Sequence, residues 1–327
     1  MNTPVIRFGG KTRLVPVLLS VLERMAPHTC YVEPFAGGAA LLFAKEPSKS
    51  EIIGDMDRAI YDFFSVLRDE EQAYKLQRMS KYTLWSREEM THCKPWRGEA
   101  DQLERVRKWF TVMRQSFTHE VDNPAWWASK TDSQALRFSR AVDALDRASQ
   151  RLRRVQVENR SFEHLFRVYD HPNTLFYCDP AYMMEARIDG GYEHEMTVAQ
   201  HEHLLDLVLS CKGQVMLSGY HSTLYDERLA HLPCIEKTRE CTIHNSKAKK
   251  KTYRTECIWF KAHPVGLFAE GGKDLVDAFA THVAARTQHA EEPREVSGTD
   301  AVITIRTEQI HMGNFSIYWE DVSKRFL

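Results

Sequence analysis

Glu33-Pro34-Phe35-Ala36-Gly37-Gly38-Ala39 is the stretch whose reading decides the fold. Thr29 to Val32, just before it, has the pattern of a short strand, and Ala39 to Lys45, just after it, reads as a helix. Glycines between a strand and a helix let the backbone approach a ligand closely at the end of a parallel strand. The spacing is not G-x-G-x-x-G, so the dinucleotide fingerprint is absent. Glu51-Ile52-Ile53-Gly54-Asp55 reads as a second strand ending in an acid. It lies about 20 residues on, where a carboxylate can bind the ribose hydroxyls of an adenosine ligand. A helix over Ala59 to Leu67 completes a strand–helix–strand–helix order, which predicts a parallel sheet with right-handed crossovers. Taken alone, the turn and the acid fit a purely structural turn equally well.

Upstream, Leu14, Val17, Leu18, Val21, Leu22 and Met25 fall on one helical face. Ile6-Arg7-Phe8-Gly9-Gly10-Lys11 precedes that helix, and two glycines with a lysine at a helix start suit an anion such as a carboxylate. The G-x-x-x-x-G-K-[ST] spacing of a Walker A loop is missing.

Downstream the character changes over residues 72–154. This stretch holds seventeen Lys/Arg against ten Asp/Glu, an excess of +7, so the remainder of the chain carries −8 within a net charge of −1. Trp85, Trp96, Trp109, Trp126 and Trp127 all lie here, among helical patterns at Leu103 to Phe117 and Ser133 to Leu152. The expected organisation is a catalytic α/β domain from residues 1–71 and 155–262, a helical insert over 72–154, and a C-terminal extension over 263–327 without a functional reading. A basic, aromatic insert suits phosphates and bases, with Arg105, Arg107, Arg114 and Ser116 as the candidate contacts. For any single tryptophan, a place in the helical core is the better expectation. Lys247 to Lys251 is the alternative basic patch, or an ordinary solvated run.

Strand patterns return at Val155 to Val157 and Leu175 to Cys178, followed by a helix at Val198 to Ser210 and strands at Gln214 to Ser218 and Glu256 to Phe260. Asp179-Pro180-Ala181-Tyr182 stands directly after the second of these strands. A carboxylate, a backbone carbonyl and an aromatic face at a strand end suit a planar base bearing an amino group. The bare tetrapeptide fits an ordinary Asp-Pro turn better. Residues 287–299 read as a polar linker, and Ala301 to Arg306 with Phe315 to Trp319 as a small hairpin.

The 327 residues, 43% hydrophobic and 27% charged, belong to a globular class. Seven cysteines, an odd number with no C-x-x-C pair, argue against a disulfide framework or zinc site and for a reducing, cytoplasmic setting. His201 and His203 are two apart, which on a helix separates them, so both are expected at the surface and no metal is expected. Leu14 to Leu22 is interrupted by Pro16 and Ser20 and is too short for a bilayer. No signal peptide and no membrane segment are expected.

In this order the three motifs resemble those of the Dam-type DNA adenine methyltransferases, in particular the subset carried by phages and prophages or found in restriction-modification settings. An F-x-G-G-K element, an E-P-F-x-G-G turn and a D-P-P-Y tetrapeptide flank that family's helical target-recognition insert. The likeness continues through Tyr192 to Thr197, through Leu217-Ser218-Gly219-Tyr220-His221-Ser222-Thr223-Leu224-Tyr225, and through Arg254 to Trp259, covering residues 3–262. The resemblance implies a Rossmann-like α/β methyltransferase fold, S-adenosylmethionine (SAM) as cofactor and double-stranded DNA as partner. It implies that Arg7, Phe8 and Lys11 line the cofactor site with Glu33, Pro34, Phe35 and Gly37. It further implies that Asp55 holds the ribose and Phe162 packs on the cofactor's adenine. Asp179 would lie between cofactor and target base, acting on it with Pro180 and Tyr182.

The chain departs from the family pattern at three places. Ala181 replaces the second proline of the tetrapeptide. Ser161 stands where many relatives carry an acid. Phe110 to Phe117 replaces the insert sequence of GATC-specific relatives, so no target sequence carries over. Two rival readings follow: a methyltransferase acting on cytosine N4 or on RNA adenine, and a relative that binds SAM and DNA without catalysis.

Overall fold

The computed structural model describes residues 3–5, 11–12, 14–23, 25–117, 119, 121–122, 124–183, 195–240, 253–261 and 302–306. The chain divides into two compact units, Met1–Leu19 with Thr29–Val168, and Ser20–His28 with Tyr169–Leu327.

Helix α1 (Val15–Leu22) begins the chain's regular structure, with Val17, Leu18 and Val21 buried as its periodicity requires. In the first unit, strand β1 (Cys30–Glu33), helix α2 (Ala40–Ala44), strand β2 (Ser50–Gly54) and helix α3 (Arg58–Arg68) follow in the expected order. β1 and β2 pair in parallel, with Val32 opposite Ile52. Asp57 caps α3 by accepting the Ala59 N–H at 2.8 Å.

Four helices then intervene: α4 (Glu70–Lys81), α5 (Arg87–Cys93), α6 (Gln102–Gln115) and α7 (Gln134–Leu152). Ser86, Asp101 and Ser133 accept from the N–H three residues on and set the starts of α5, α6 and α7. Helices α4, α6 and α7 all pack against α3. The centre of that packing is aromatic: Phe63 lies 5.4 Å from Trp109 and 5.7 Å from Phe110, ring centre to ring centre. Trp109 and Trp96 are therefore core residues.

Strand β3 (Gln156–Glu158) returns to β2 in parallel, with Ile53 opposite Val157. Chain on both sides of the four helices thus shares one sheet. An ion cluster reinforces the return. Glu51 on β2, with its side chain 1% exposed, meets Lys45 and Arg151, each at 2.6 Å. Burial opposes ionisation of Glu51, yet hydrogen bonds from Arg151 and Lys45 outweigh it and hold the carboxyl below its ordinary range. Helix α8 (Phe162–Tyr169) follows β3.

In the second unit, strand β4 (Thr174–Cys178) is buried along its whole length. It pairs in parallel with β5 (Gln214–Tyr220), Phe176 opposite Val215. The crossover is helix α9 (Val198–Ser210), which opens on a capping box of Thr197 and Gln200. Its C-terminal end receives the Lys261 ammonium, 2.9 Å from the Leu209 carbonyl and 2.6 Å from that of Cys211. Helix α10 (Thr223–Leu229), strand β6 (Cys234–Glu240) and strand β7 (Tyr253–Lys261) come next, with β7 antiparallel to both β5 and β6.

β6 is absent from the sequence reading because Cys-Ile-Glu-Lys-Thr-Arg-Glu has few apolar residues. β8 (Val302–Arg306) pairs antiparallel with β6, Ile235 opposite Ile305. β8 coincides with the first segment of the expected hairpin, and the pairing described for it is with β6. The second half, residues 315–319, lies outside the described residues, as do the linker at 287–299 and the lysines at 247–251. One expectation is corrected: His201 is fully buried and its Nδ1 lies 2.9 Å from the Tyr225 hydroxyl, because α9 turns that face toward α10. His203 is exposed. The architecture is α/β and Rossmann-like, of the methyltransferase kind.

Candidate active site

The first unit holds the glycine turn between β1 and α2. Gly37 adopts a left-handed φ of 47°, and among the described residues no atom lies within 4 Å of where its side chain would begin. Gly38 has another reason to be glycine: a Cβ there would meet the Val5 carbonyl oxygen at 2.7 Å. Ala39 continues the left-handed turn with φ 49° and caps α2.

Two carboxylates shape this turn. Glu33, buried at the end of β1, accepts from the Tyr31 hydroxyl at 2.6 Å and from the Leu42 N–H at 2.8 Å. Its same oxygen therefore joins the strand to α2. Asp55, directly after β2, accepts the Gly37 N–H at 2.8 Å through one oxygen and the Asp57 N–H at 2.9 Å through the other. The acid at the second strand end is thereby bonded to the glycine turn of the first. Asn159, which the sequence reading missed, supports it from behind by donating to the Asp55 carbonyl at 2.7 Å and the Met56 carbonyl at 3.1 Å. Its sequence signal was a lone asparagine just past β3.

Phe162 opens α8 and lies 5.4 Å from the ring of Phe35, tilted by 31°. Phe35 of the glycine turn and Phe162, far apart in sequence, thus meet. Pro34 is buried. Lys11 is buried at the start of α1, and its carbonyl accepts from Leu14 and Val15. Arg7 and Phe8 lie outside the described residues.

The second unit carries the tetrapeptide. Asp179 follows β4 and is half-buried, Pro180 is buried, and the buried Tyr182 donates its hydroxyl to Asp179 at 3.3 Å. The rings of Tyr182 and of Tyr220, at the end of β5, meet edge to face with centroids 4.5 Å apart. The alanine at position 181 leaves this arrangement of carboxylate and ring in place.

The four expected DNA contacts are placed inward. Arg107 is bonded to Glu104 at 2.7 Å and Glu89 at 3.1 Å, and these partners, Glu104 foremost, hold its proton more tightly than usual. Arg114 is buried against the carbonyls of Pro4 and Arg137, and burial, aided by the Arg137 charge, pulls it down to about 10. Arg105 is half-buried on Asp62 at 3.2 Å, and Ser116 is fully buried. The excess positive charge of the stretch includes charges spent inside it.

Basic groups at the surface lie beside the half-buried tryptophans instead. Arg87 lies over the Trp126 ring and Arg137 over the Trp127 ring, at 5.9 and 5.7 Å. Phe117, 54% exposed, packs edge-on against Trp127, and Arg140 is exposed one turn beyond Arg137 on α7.

A glycine turn bonded to the acid of the next strand and an Asp-Pro-x-Tyr strand end are the features expected of a methyltransferase of amino groups. The family of D12 class N6 adenine-specific DNA methyltransferases matches residues 8–250, and the chain belongs to it. Its activity is thus methylation of adenine N6 in DNA. No curated protein matches the chain. Among the described residues no group of three or more His, Cys, Asp or Glu could hold a metal ion, and no helix is long and apolar enough to cross a membrane.

Proposed function

We propose that the chain uses SAM to methylate a flipped adenine in double-stranded DNA, with cofactor and base held by the two motif clusters described above. The cofactor fits the residues present. The Asp55 carboxylate suits ribose hydroxyls, and the Phe35–Phe162 pair suits a flat adenine. The open space at Gly37 admits a close backbone approach. The family resemblance adds Lys11, Arg7 and Phe8 to this set, the two cations suited by charge to the carboxylate of the methionine part. When bound, SAM supplies an electrophilic methyl group on a sulfonium centre.

The observation that carries the reading of the base site is Asp179 fixed to the Tyr182 hydroxyl immediately past β4. The N6 lone pair of adenine is delocalised into the ring and is a poor nucleophile. Asp179 and the Pro180 carbonyl accept its two N–H groups and favour a pyramidal nitrogen, while Tyr182 stacks on the ring. The proton lost by nitrogen leaves along its hydrogen bond to Asp179. Residues 72–154 serve as the target-recognition insert, and the exposed Arg87, Arg137 and Arg140 beside Trp126 and Trp127 offer the phosphate contacts.

Transfer of labelled methyl to duplex DNA tests this site. Asp179→Ala is expected to abolish transfer in a folded protein. Tyr182→Ala should forfeit base stacking worth about 1–3 kcal/mol, whereas Tyr182→Phe keeps the ring, loses only its bond to Asp179 and should lose less transfer than alanine. Undiminished transfer by Asp179→Ala would remove that residue from the chemistry.

A further inference from the structure

We propose that Tyr220 is a second aromatic wall of the pocket for the flipped base, so that adenine is held in a corner between Tyr182 and Tyr220. The proposal rests on the reading of Asp179 and Tyr182 given above. β4 and β5 run parallel with Cys178 opposite Leu217, so Ser218, Gly219 and Tyr220 continue past the last pair. They extend along the edge that carries Asp179 to Tyr182. The ring of Tyr220 stands at 69° to that of Tyr182, centroids 4.5 Å apart. A flat base laid on the ring that presents its edge abuts the face of the other. Tyr182 is fixed at its far end to Asp179. One acceptor and two rings therefore form a continuous set in which each holds the next, with the faces that nucleobases stack on.

The residues around Tyr220 fasten it in place. A Cβ at Gly219 would come 3.0 Å from the Trp259 ring, so the absence of a side chain lets Trp259 pack beneath the strand. Alternation along the strand then sends Tyr220 to the opposite face. His221, the next residue, lies with Nδ1 2.7 Å from the Asp226 carboxylate and Nε2 3.3 Å from that of Glu236. It thus fastens the end of β5 to α10 and β6. Trp259 rests in turn on Tyr225 at 5.6 Å and on His221 at 6.2 Å. The supporting side chains Trp259, Tyr225 and Glu236 are buried, while Tyr220 itself is half-buried. A rigid strand end bearing a partly open aromatic ring is the arrangement by which a site holds its ligand in one geometry.

The test uses the full chain. The methylated adenine is first mapped by sequencing DNA treated with wild type, and a duplex is then made with 2-aminopurine at that position. Tyr220→Ala is expected to lower kcat/KM for DNA about 5- to 150-fold, the range set by removing one stacking ring. It should raise the emission of bound 2-aminopurine, because a quenching ring is gone, and leave SAM affinity unchanged. Tyr220→Phe should match wild type in all three readings. Tyr220→Leu, which keeps the bulk, should behave as alanine does and decides the matter if the alanine variant does not fold. Wild-type kcat/KM and emission in the folded Ala or Leu variant would overturn the proposal, as would a loss shared by Tyr220→Phe. A wild type that methylates no DNA would sink the reading of Asp179 and Tyr182 and this proposal together. Methylation that survives Tyr220→Ala at full rate sinks this one alone.

Discussion

Replacing Asp55 with alanine separates a carboxylate that only shapes a turn from one that also holds the cofactor. Its two oxygens accept from Gly37 at 2.8 Å and from Asp57 at 2.9 Å. Loss of these acceptors from a half-buried turn should cost about 1–3 kcal/mol of stability, seen in thermal unfolding. Loss of a charged hydrogen bond to ribose should cost a further ~1.5–3 kcal/mol of SAM binding. That is a rise of about 10- to 150-fold in Kd, at about 1.4 kcal/mol per tenfold. Asp55→Asn keeps the size and one carbonyl oxygen, so its effects should fall between wild type and alanine. Titration calorimetry at a temperature where both variants are folded reads the binding loss apart from the stability loss. A folded Asp55→Ala protein that binds SAM with wild-type affinity would refute the reasoning and leave Asp55 a turn residue.

Other outcomes follow from the same structure. Phe162→Ala removes the partner of Phe35 and should weaken SAM binding while DNA affinity, measured by anisotropy, holds. Arg137→Glu with Arg140→Glu should weaken DNA binding and flatten its salt dependence, by about 0.9 in the log–log slope for each phosphate no longer neutralised. By contrast, reversal of the inward Arg107 or Arg114 should first lower the melting temperature. Glu51 has its pKa depressed in the fold by Arg151 and Lys45 despite burial. Its contribution is therefore present above the unfolded carboxyl value of about 4.3 and lost as pH falls through the lower folded value. Glu51→Ala should destabilise by about 3–5 kcal/mol at neutral pH and reduce the loss of melting temperature on acidification. Ala181→Pro should preserve or raise methyl transfer, since the carboxylate and ring it lies between are already in place.

The parts of this fold that were legible in the sequence are those where local patterns agree with burial. The alternation and glycines around residues 29–55, the stripe of α3 and the apolar run of β4 each announce their element. The helix α9 was legible over Val198–Ser210, and the Thr197–Gln200 capping box fixes its start. β6 was hidden because its strand status comes from pairing on both sides, with β7 and β8, rather than from its own composition. The inward arginines were hidden for a related reason. A guanidinium on a helix looks the same in sequence whether it meets a phosphate or, like Arg107, the carboxylates of Glu89 and Glu104. Asn159 offered only a lone asparagine after β3, and Tyr220 stood in a segment matched to the family without a role, because the value of each lies in what it touches across the fold, the Asp55 carbonyl and the Tyr182 ring.

The most direct test of the account is nucleoside mass spectrometry of duplex DNA incubated with SAM and the purified protein, wild type beside Asp179→Ala. Wild type is expected to form N6-methyladenine and the folded variant none. N4-methylcytosine in its place would contradict the account. So would N6-methyladenine formed equally by the variant, or a wild type that binds SAM and DNA yet methylates only after Ala181→Pro.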